Sequence, residues 1–279
     1  MTTPGDTLSA AHRLPRVRAE LRLVFARAGA RTEAARAFET GGWRWRFPRA
    51  GGRAEAVAVN TGGGMAGGDR VGIAVAVGPD ASALVTSQSQ EKIYKAEGLP
   101  CEMRTRLEVA EGARLIWAPQ ETLLFEGARL NRWLEADVAA TGVLTIIEAV
   151  AFGRLAHGET RVAAALADNW RLRRGGKLVF AEALRIEDAG ATLDRAAIGG
   201  GARAAATLVR IGPDAGDKLE PLRAAFAQLE AAGGFEAGAS LVDGVLVARA
   251  LSPSPQRLRE GLIAVWGALE GQDAPRVWY

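Results

Sequence analysis

The segment from residue 60 to residue 77 constrains the fold of this chain more than any other. Its glycines Gly62, Gly64 and Gly67 have the spacing of a dinucleotide-binding loop, Gly-x-Gly-x-x-Gly, and follow an apolar run. That loop requires a helix to begin at the third glycine, so that the helix N-terminus can meet a pyrophosphate. Instead, apolar and small residues alternate over residues 71–77, and a period of two is typical of a β-strand. We therefore interpret the glycines as a sharp connection between two strands and expect no nucleotide site here.

Short alternating or apolar runs, separated by Gly, Pro, Asn and Asp, continue along most of the chain. Strands at this spacing, with few helical stretches between them, predict a large all-β body over about residues 15–211. No linker is long enough to divide the chain, so residues 1–279 are expected to form a single domain. The predicted strands are 17–25, 43–47, 54–59, 71–77, 83–87, 103–109, 114–118, 122–125, 131–138, 143–152, 159–167, 170–173, 177–186 and 203–209.

The last part of the chain, about residues 212–279, has a different pattern. Apolar residues recur at three-to-four spacing from Leu219 to Leu229, which predicts a helix. A second helix is expected to begin with Ser254 as its N-cap and Pro255 at its first position, and to end before Gly271. Asp243-Gly244 predicts the turn of a hairpin between the two helices. The architecture expected is mainly β, with two C-terminal helices.

The composition excludes several classes of protein. Cys101 is the single cysteine, and the two histidines, His12 and His157, are far apart in sequence, so a zinc-type site of three or four soft ligands is not expected. No stretch is long and apolar enough to suggest a membrane span or a signal peptide, which predicts a cytoplasmic protein. The net charge is only +3, and the Arg-aromatic alternation over residues 43–47 is better explained by a half-buried strand than by a nucleic-acid surface.

Carboxylates in apolar surroundings are the remaining candidates for function. Alternation over residues 143–152 places Glu148 on the same strand face as four apolar residues. An ionised carboxylate there is costly unless it is paired or hydrated, so it is either bound to a structural partner such as Arg129 or Arg154, or functional. Glu121 aligns in the same way with Leu123 and Phe125.

Five segments, in this order, resemble the family of urease accessory proteins called UreD or UreH. Each segment alone is weakly specific, but the five together cover most of the chain. The segments are GGMAGGDR at 63–70, TSQSQEKIYK at 86–95, WAPQETLLFEGAR at 117–129, EAVAFGRLAHGE at 148–159 and PRVW at 275–278.

The resemblance implies a chaperone, not an enzyme, that helps to insert nickel into apo-urease in a complex with the accessory protein UreF and the GTPase UreG. It implies a helix-like stack of strands with an interior passage for nickel. No tightly bound cofactor is expected: nickel would pass transiently, and GTP would be bound by the partner. Scattered carboxylates with few His or Cys residues suit such weak binding. The residues expected to line the passage are Asp69, Glu121, Glu148 and Glu182.

The C-terminal segment is a further candidate for binding. Arg276, Trp278 and Tyr279 are residue types that contribute strongly to interfaces, and they stand where a chain is disordered unless something anchors it. We expect this segment to be docked, either on the β body or against the UreF-like partner.

Two other functions stay open at this point. A carboxylate-based hydrolase would need a closed pocket with two acids of separated pKa. A β-type nucleic-acid-binding protein would show steeply salt-dependent binding.

Overall fold

The structure is a computed structural model that describes residues 16–48 and 53–279. His12 and the rest of the N-terminal segment lie outside the described residues. The strands are β1 (Arg18–Ala28), β2 (Arg31–Glu39), β3 (Trp43–Arg46), β4 (Ala54–Asn60), β5 (Arg70–Val77), β6 (Ser82–Ser87), β7 (Glu91–Ile93), β8 (Cys101–Val109), β9 (Arg114–Trp117), β10 (Thr122–Leu124), β11 (Arg129–Val138), β12 (Val143–Phe152), β13 (Ala165–Arg174), β14 (Lys177–Ile186), β15 (Ala204–Ile211), β16 (Glu236–Val242) and β17 (Val245–Ser252). The α-helices are α1 (Ala189–Leu193), α2 (Leu219–Ala231) and α3 (Pro255–Glu270).

Two large sheets face each other. The first, sheet A, has the strand order β14-β13-β11-β8-β5-β1-β2, and the second, sheet B, has the order β16-β17-β15-β12-β9-β6-β4-β3. From β4 to β13 the chain passes repeatedly from one sheet to the other, and its strands stack in parallel on the strands of the preceding coil. The short strands β7 and β10 form a third, smaller stack beside β12. This is a β-solenoid-like body, as expected, closed at its ends by antiparallel strands.

Sheet B separates two hydrophobic cores. All ten residues of β12 are buried, because one face of the strand packs against sheet A and the other against the C-terminal helices. Ile146 and Val150 lie in the core between the sheets, whereas Ile147 and Ala149 lie in the core under α2 and α3. A strand buried on both faces reads as a continuous apolar run, which explains the sequence of this segment.

Helix α3 has the N-terminus that the sequence predicts. The Ser254 side chain accepts a hydrogen bond from the Arg257 backbone N–H, Pro255 occupies the first turn, and Gly271 ends the helix in the left-handed conformation. Leu258, together with four other apolar side chains of the helix, is buried against sheet B. Across the described ranges, none of the helices combines the length and the apolar sequence that a bilayer crossing requires.

The glycine-rich connection between β4 and β5 is confirmed as a tight loop. At Gly64, where φ is 141°, a Cβ would lie 2.8 Å from the Lys92 carbonyl oxygen, and at Gly67 it would lie 2.7 Å from Cα of Ala96. The neighbouring coil therefore leaves room only for glycine at these two positions. Strand β5 follows the loop directly, without the helix that a dinucleotide site needs.

Some predicted elements differ from the structure. The predicted strand over residues 159–167 is wrong: a 3-10 turn at Leu155–His157 and an irregular segment precede β13, which begins at Ala165 and also contains the predicted strand 170–173. The Arg154 backbone N–H and guanidinium both bind the Glu159 carboxylate, which closes this loop instead of extending it. Strand β2 was missed because its residues are nearly all exposed and carry little apolar alternation. The three-residue strand β7 and the helix α1 are too short to give a periodic pattern.

Candidate functional site

A cavity of about 80 Å³ lies between the two sheets, beside the connection from β6 to β7. This volume holds a few water molecules, since one water requires roughly 10–15 Å³ on this measure. Its lining is rich in hydroxyl and amide groups, and its charged residues are two carboxylates, one guanidinium and one lysine. The polar residues that line it include Asn60, Thr86, Ser87, Gln88, Ser89, Gln90, Glu91, Lys92, Thr105, Gln120, Thr122, Arg132 and Glu148.

A buried ionic cluster forms the inner end of this cavity. Arg132 of β11 is 5 % exposed and lies between Glu148 of β12 and Asp168 of β13, each 6 % exposed. Its Nη1 donates to Oε2 of Glu148 over 2.5 Å, while Nε and Nη2 donate to the two oxygens of Asp168 over 3.0 and 2.5 Å. With all three groups ionised, the cluster carries one net negative charge.

Two indole groups also donate hydrogen bonds to the carboxylates of the cluster. Nε1 of Trp117 donates to Oε1 of Glu148 over 2.7 Å, and Nε1 of Trp170 donates to Oδ1 of Asp168 over 2.9 Å. Each carboxylate therefore has a partner on both oxygens, which is the condition under which a buried charge is tolerated. Burial nevertheless raises the pKa of Glu148, although Arg132 and the Trp117 N–H both favour its ionised form.

Glu91 is the second carboxylate of the cavity. Nδ2 of Asn60 donates to Oε1 of Glu91 over 2.8 Å. Burial raises the pKa of Glu91 to about 7, against the opposing effects of the Asn60 hydrogen bond and of Lys92. Near neutral pH this carboxyl group is therefore divided between its neutral and charged forms, which makes it an oxygen ligand that can gain or lose a proton easily.

Polar groups continue beyond the cluster to the edge of the two sheets. In sheet B, Glu148 pairs in register with Thr207 of β15, which pairs with Arg249 of β17. In sheet A, Glu182 of β14 lies one strand beyond β13, and its Oε2 accepts from Nη2 of Arg249 over 2.6 Å. Arg249 is 58 % exposed. A file of polar groups, from Asn60 and Glu91 through the cluster to this ion pair, thus crosses the apolar core between the sheets; we refer to it as the polar file.

The structure brings together only part of the predicted set of passage residues. Glu148 lines the cavity, and Glu182 lies at the outer end of the polar file, where burial raises its pKa. Asp69 is buried elsewhere: its two oxygens accept the backbone N–H groups of Val17 and Ala66 and so stabilise the loop before β5.

Glu121 lies on the opposite side of sheet B from the cluster. Its two oxygens bind the guanidinium of Arg259 on α3, and its side chain is fully buried. Gln90, which lines the cavity, also donates to Oε2 of Glu121 over 3.3 Å. Glu121 therefore fixes α3 and a cavity residue, without lining the cavity itself.

The expected structural partners of Glu148 were wrong. Arg154 binds Glu159, and Arg129 donates to the Gly98 carbonyl oxygen, both at the surface. The partner is Arg132, whose side chain lies at one of the inward-facing positions that alternate along β11. Sequence reasoning also missed Asp168 and Glu91 as site residues. The only signal for such residues in the sequence is a polar residue at a position that the alternation of a strand places among buried apolar residues, as for Asp168 in β13.

The C-terminal segment docks on the protein's own body. Trp278 is buried against Trp266 of α3 in an edge-to-face contact, with ring centroids 5.5 Å apart, and its Nε1 donates to Oγ1 of Thr86 over 3.1 Å. Gln120 donates to the Val277 carbonyl oxygen over 2.6 Å and to Gln88, so the segment is connected to the cavity wall. Arg276 and Tyr279 point to solvent, Tyr279 being 77 % exposed. Whether these two residues bind a partner stays a prediction.

The ligand chemistry available is that of scattered oxygen atoms. Over residues 16–48 and 53–279, no three His, Cys, Asp or Glu side chains lie close enough together to hold a metal ion. Cys101 is buried, and burial together with Asp69 and Glu91 raises its pKa to about 12, so the thiol stays protonated. A cation in the cavity would meet carboxylate, amide and hydroxyl oxygens, which bind transition metals more weakly than thiolate or imidazole.

Comparison with known proteins gives one consistent result. A family model described as UreD urease accessory protein matches residues 17–279. A urease accessory protein UreD of Methylobacterium sp. strain 4-46 is 45 % identical over 254 residues, which is 90 % of each chain. The urease accessory protein UreD of Xanthobacter autotrophicus is 43 % identical over 280 residues, covering 99 % of this chain and 96 % of the relative. This agreement favours an accessory role over a hydrolase or a nucleic-acid-binding protein. The chain belongs to the UreD family of urease accessory proteins.

Proposed function

We propose that this protein is a urease maturation chaperone that carries nickel to apo-urease through the space between its two sheets. It acts in the cytoplasm, in a complex with UreF and the GTPase UreG, and catalyses no reaction itself. Nickel is its cargo, and GTP is bound by the partner. The observation that carries the proposal is the polar file, which leads from the cavity across an otherwise apolar core.

The energetic cost of such a file argues for a function. Burying a charge is unfavourable even when it is paired, and well-packed apolar residues often replace buried ion pairs without loss of stability. Here Arg132, Glu148 and Asp168 lie between strands that elsewhere contribute Leu, Ile and Val. Buried charges can also be kept because they favour one specific fold over others, but that role does not require a cavity beside them.

The donor set suits transport better than storage. A conduit must release its ion, so no position can bind it tightly. Glu91 offers carboxylate oxygens to a passing dication, and Asn60 offers its amide oxygen. Glu148 and Glu182 offer carboxylate oxygens at points where these groups also bind Arg132 and Arg249. We place these four residues on the passage because they line the cavity or belong to the polar file. Asp69 and Glu121 do not line the cavity, and we assign them structural roles, since they bind backbone N–H groups and Arg259 respectively.

The surface that we propose for partner binding is the exposed part of the C-terminal segment. Tyr279 and Arg276 project from a segment that Trp278 anchors, and the same segment contacts Gln120 at the cavity wall. A partner that binds there would sit close to the cavity. We therefore propose that UreF contacts the exposed side chains of this segment.

Reconstituted activation tests the proposal. Apo-urease would be activated with limiting nickel, bicarbonate, GTP and the accessory proteins, with this protein present, absent or substituted. We expect the Glu91→Gln and Glu148→Gln variants to form the accessory complex normally but to deliver less nickel, because the amide keeps the shape and loses the charge. Glu135→Gln, on the outer face of β11, is the matched control and should behave as wild type. Full activation in the absence of this protein would refute the assignment, and loss of the complex together with activity would show that the carboxylates are structural.

A further inference from the structure

The cavity does not extend along the whole polar file. Arg132 and Glu148 are part of its lining, whereas Asp168 and the Glu182–Arg249 pair lie beyond them. The Arg132 guanidinium thus stands between the cavity and the outer part of the file. A cation that moved from one to the other would have to pass this group.

The guanidinium is held unequally by its two partners. Asp168 accepts from both Nε and Nη2, which is the bidentate arrangement that fixes an arginine most firmly. Glu148 accepts from Nη1 alone, and its second oxygen is bound by Trp117. The bond to Glu148 can therefore break while Asp168 keeps the guanidinium paired.

We propose that Arg132 closes the passage, and that a divalent cation in the cavity opens it by displacing the guanidinium from Glu148. This inference rests on the proposed function, because it assumes that a cation enters the cavity. Arg132 is then an internal counter-ion that occupies the place of the cargo when no cargo is present.

Simple electrostatics supports this arrangement. A dication near Glu148 repels the guanidinium and attracts the carboxylate with twice the charge of the arginine, in a medium that screens poorly. A monovalent cation has no such advantage over Arg132, so the exchange favours divalent ions. When the dication leaves, Arg132 returns to Glu148, and neither carboxylate is left unpaired. The closed state also weakens binding, because only the open fraction of molecules can accept the ion.

Nickel binding to the isolated protein tests the proposal. The double variant Arg132→Gln/Asp168→Asn removes one positive and one negative charge, so the cluster keeps its net charge of −1 but loses the guanidinium. In equilibrium dialysis against Ni²⁺ alone, we expect the double variant to bind about tenfold more tightly than wild type, since the closed state is removed. Adding Glu148→Gln should abolish the gain. Equal affinity in wild type and double variant, or a gain that survives Glu148→Gln, would overturn the proposal.

A second variant covers the case in which the double variant fails to fold. Arg132→Lys keeps the positive charge, but a lysine cannot bind both carboxylates in the forked geometry of arginine. We expect a smaller rise in Ni²⁺ affinity in the same direction, and no rise would again contradict the proposal. These measurements need neither urease nor partner proteins. If the variants bind Ni²⁺ as expected but the protein does not support urease activation, the proposed function is refuted, whereas the displacement of Arg132 by a divalent cation is upheld.

Discussion

Nε1 of Trp117 and Oε1 of Glu148 lie 2.7 Å apart between the two sheets, and both side chains are buried. The bond occupies one oxygen of a carboxylate whose other oxygen binds Arg132. At Asp168, on the parallel strand next to that of Arg132, the Trp170 N–H donates to Oδ1, which also accepts from Nε of Arg132. The two indole groups thus hold the carboxylates in position, one on each side of a single guanidinium.

The Trp117→Phe variant tests this role of the indole. The substitution keeps an aromatic ring but removes the N–H donor, which leaves a buried carboxylate oxygen without its partner. We expect a loss of about 1–3 kcal/mol in the free energy of unfolding, measured by urea denaturation. Trp133→Phe is the control, because Trp133 lies on the outer face of β11, where the Arg104 guanidinium stacks on its ring. An equal effect of the two substitutions would contradict the role of the Trp117 N–H.

The two carboxylates of the cluster should differ in their contribution to stability. Asp168 accepts three hydrogen bonds from Arg132 and Trp170, and Glu148 accepts two. Asp168→Asn removes the charge that holds the guanidinium most firmly and is expected to cost about 3–5 kcal/mol. Glu148→Gln should cost clearly less, because Arg132 stays paired with Asp168. Thermal and urea unfolding of the two variants measure the difference, and the reverse order would be inconsistent with the geometry.

Glu91 should make stability depend on pH in a definite direction. Burial raises its pKa to about 7 in the folded protein, above that of an unfolded chain. The folded state therefore binds the proton more tightly, and this contribution is complete below the unfolded-state pKa and lost as pH rises through 7. At pH 8 the charged carboxylate is held at a cost on the order of 2 kcal/mol, since it keeps part of its hydration.

The Glu91→Gln variant removes this dependence, because an amide does not titrate and can still accept from Asn60. Relative to wild type, the variant should gain stability between pH 5 and pH 8, as measured by urea unfolding at each pH. Glu135→Gln serves as the control and should leave the pH profile unchanged. A wild-type profile that stays parallel to that of Glu91→Gln would show that this carboxyl group has an ordinary pKa.

The sequence was a better guide to the strand face on which a residue lies than to the residues that it contacts there. Alternation correctly placed Glu148 with the apolar side chains that line the core between the sheets. It also correctly grouped Glu121 with Leu123 and Phe125, but it could not show that this face of the sheet packs against α3. A period of two identifies the residues that share a face, whereas the element that covers that face depends on the tertiary fold.

For the same reason, the sequence did not predict which side chains contact each other across neighbouring parallel strands. Arg132 meets Asp168 because β11 and β13 stack in register, although they are separated in the chain by β12 and an irregular loop. Nothing local in either strand encodes that register. The strand that follows the glycine-rich loop could be predicted, because it depended on the local period after Gly67. The single-domain organisation over residues 1–279 stays a prediction.

The C-terminal segment should divide into a structural and an exposed part. Trp278 is 1 % exposed and packs on Trp266, so Trp278→Ala is expected to cost about 3–5 kcal/mol and to lower the soluble yield. Tyr279→Ala removes an exposed side chain and should leave stability unchanged while weakening the pull-down of UreF. Equal, wild-type behaviour of both variants in the unfolding and pull-down measurements would show that the segment is dispensable.

The central claim is that nickel passes between the two sheets, and blocking the cavity without touching a charge tests it most directly. Thr105 lines the cavity from β8, and Thr105→Leu fills part of it with an apolar side chain. Arg106→Leu places the same side chain one residue away on the outer face, where it removes an exposed ion pair with Glu135, and it controls for the added leucine. The measurement is the nickel content of urease activated at limiting nickel, at equal amounts of accessory complex. We expect Thr105→Leu to reduce nickel delivery severalfold, while Arg106→Leu delivers as wild type; equal delivery by a folded, complexed Thr105→Leu protein would contradict passage through this cavity.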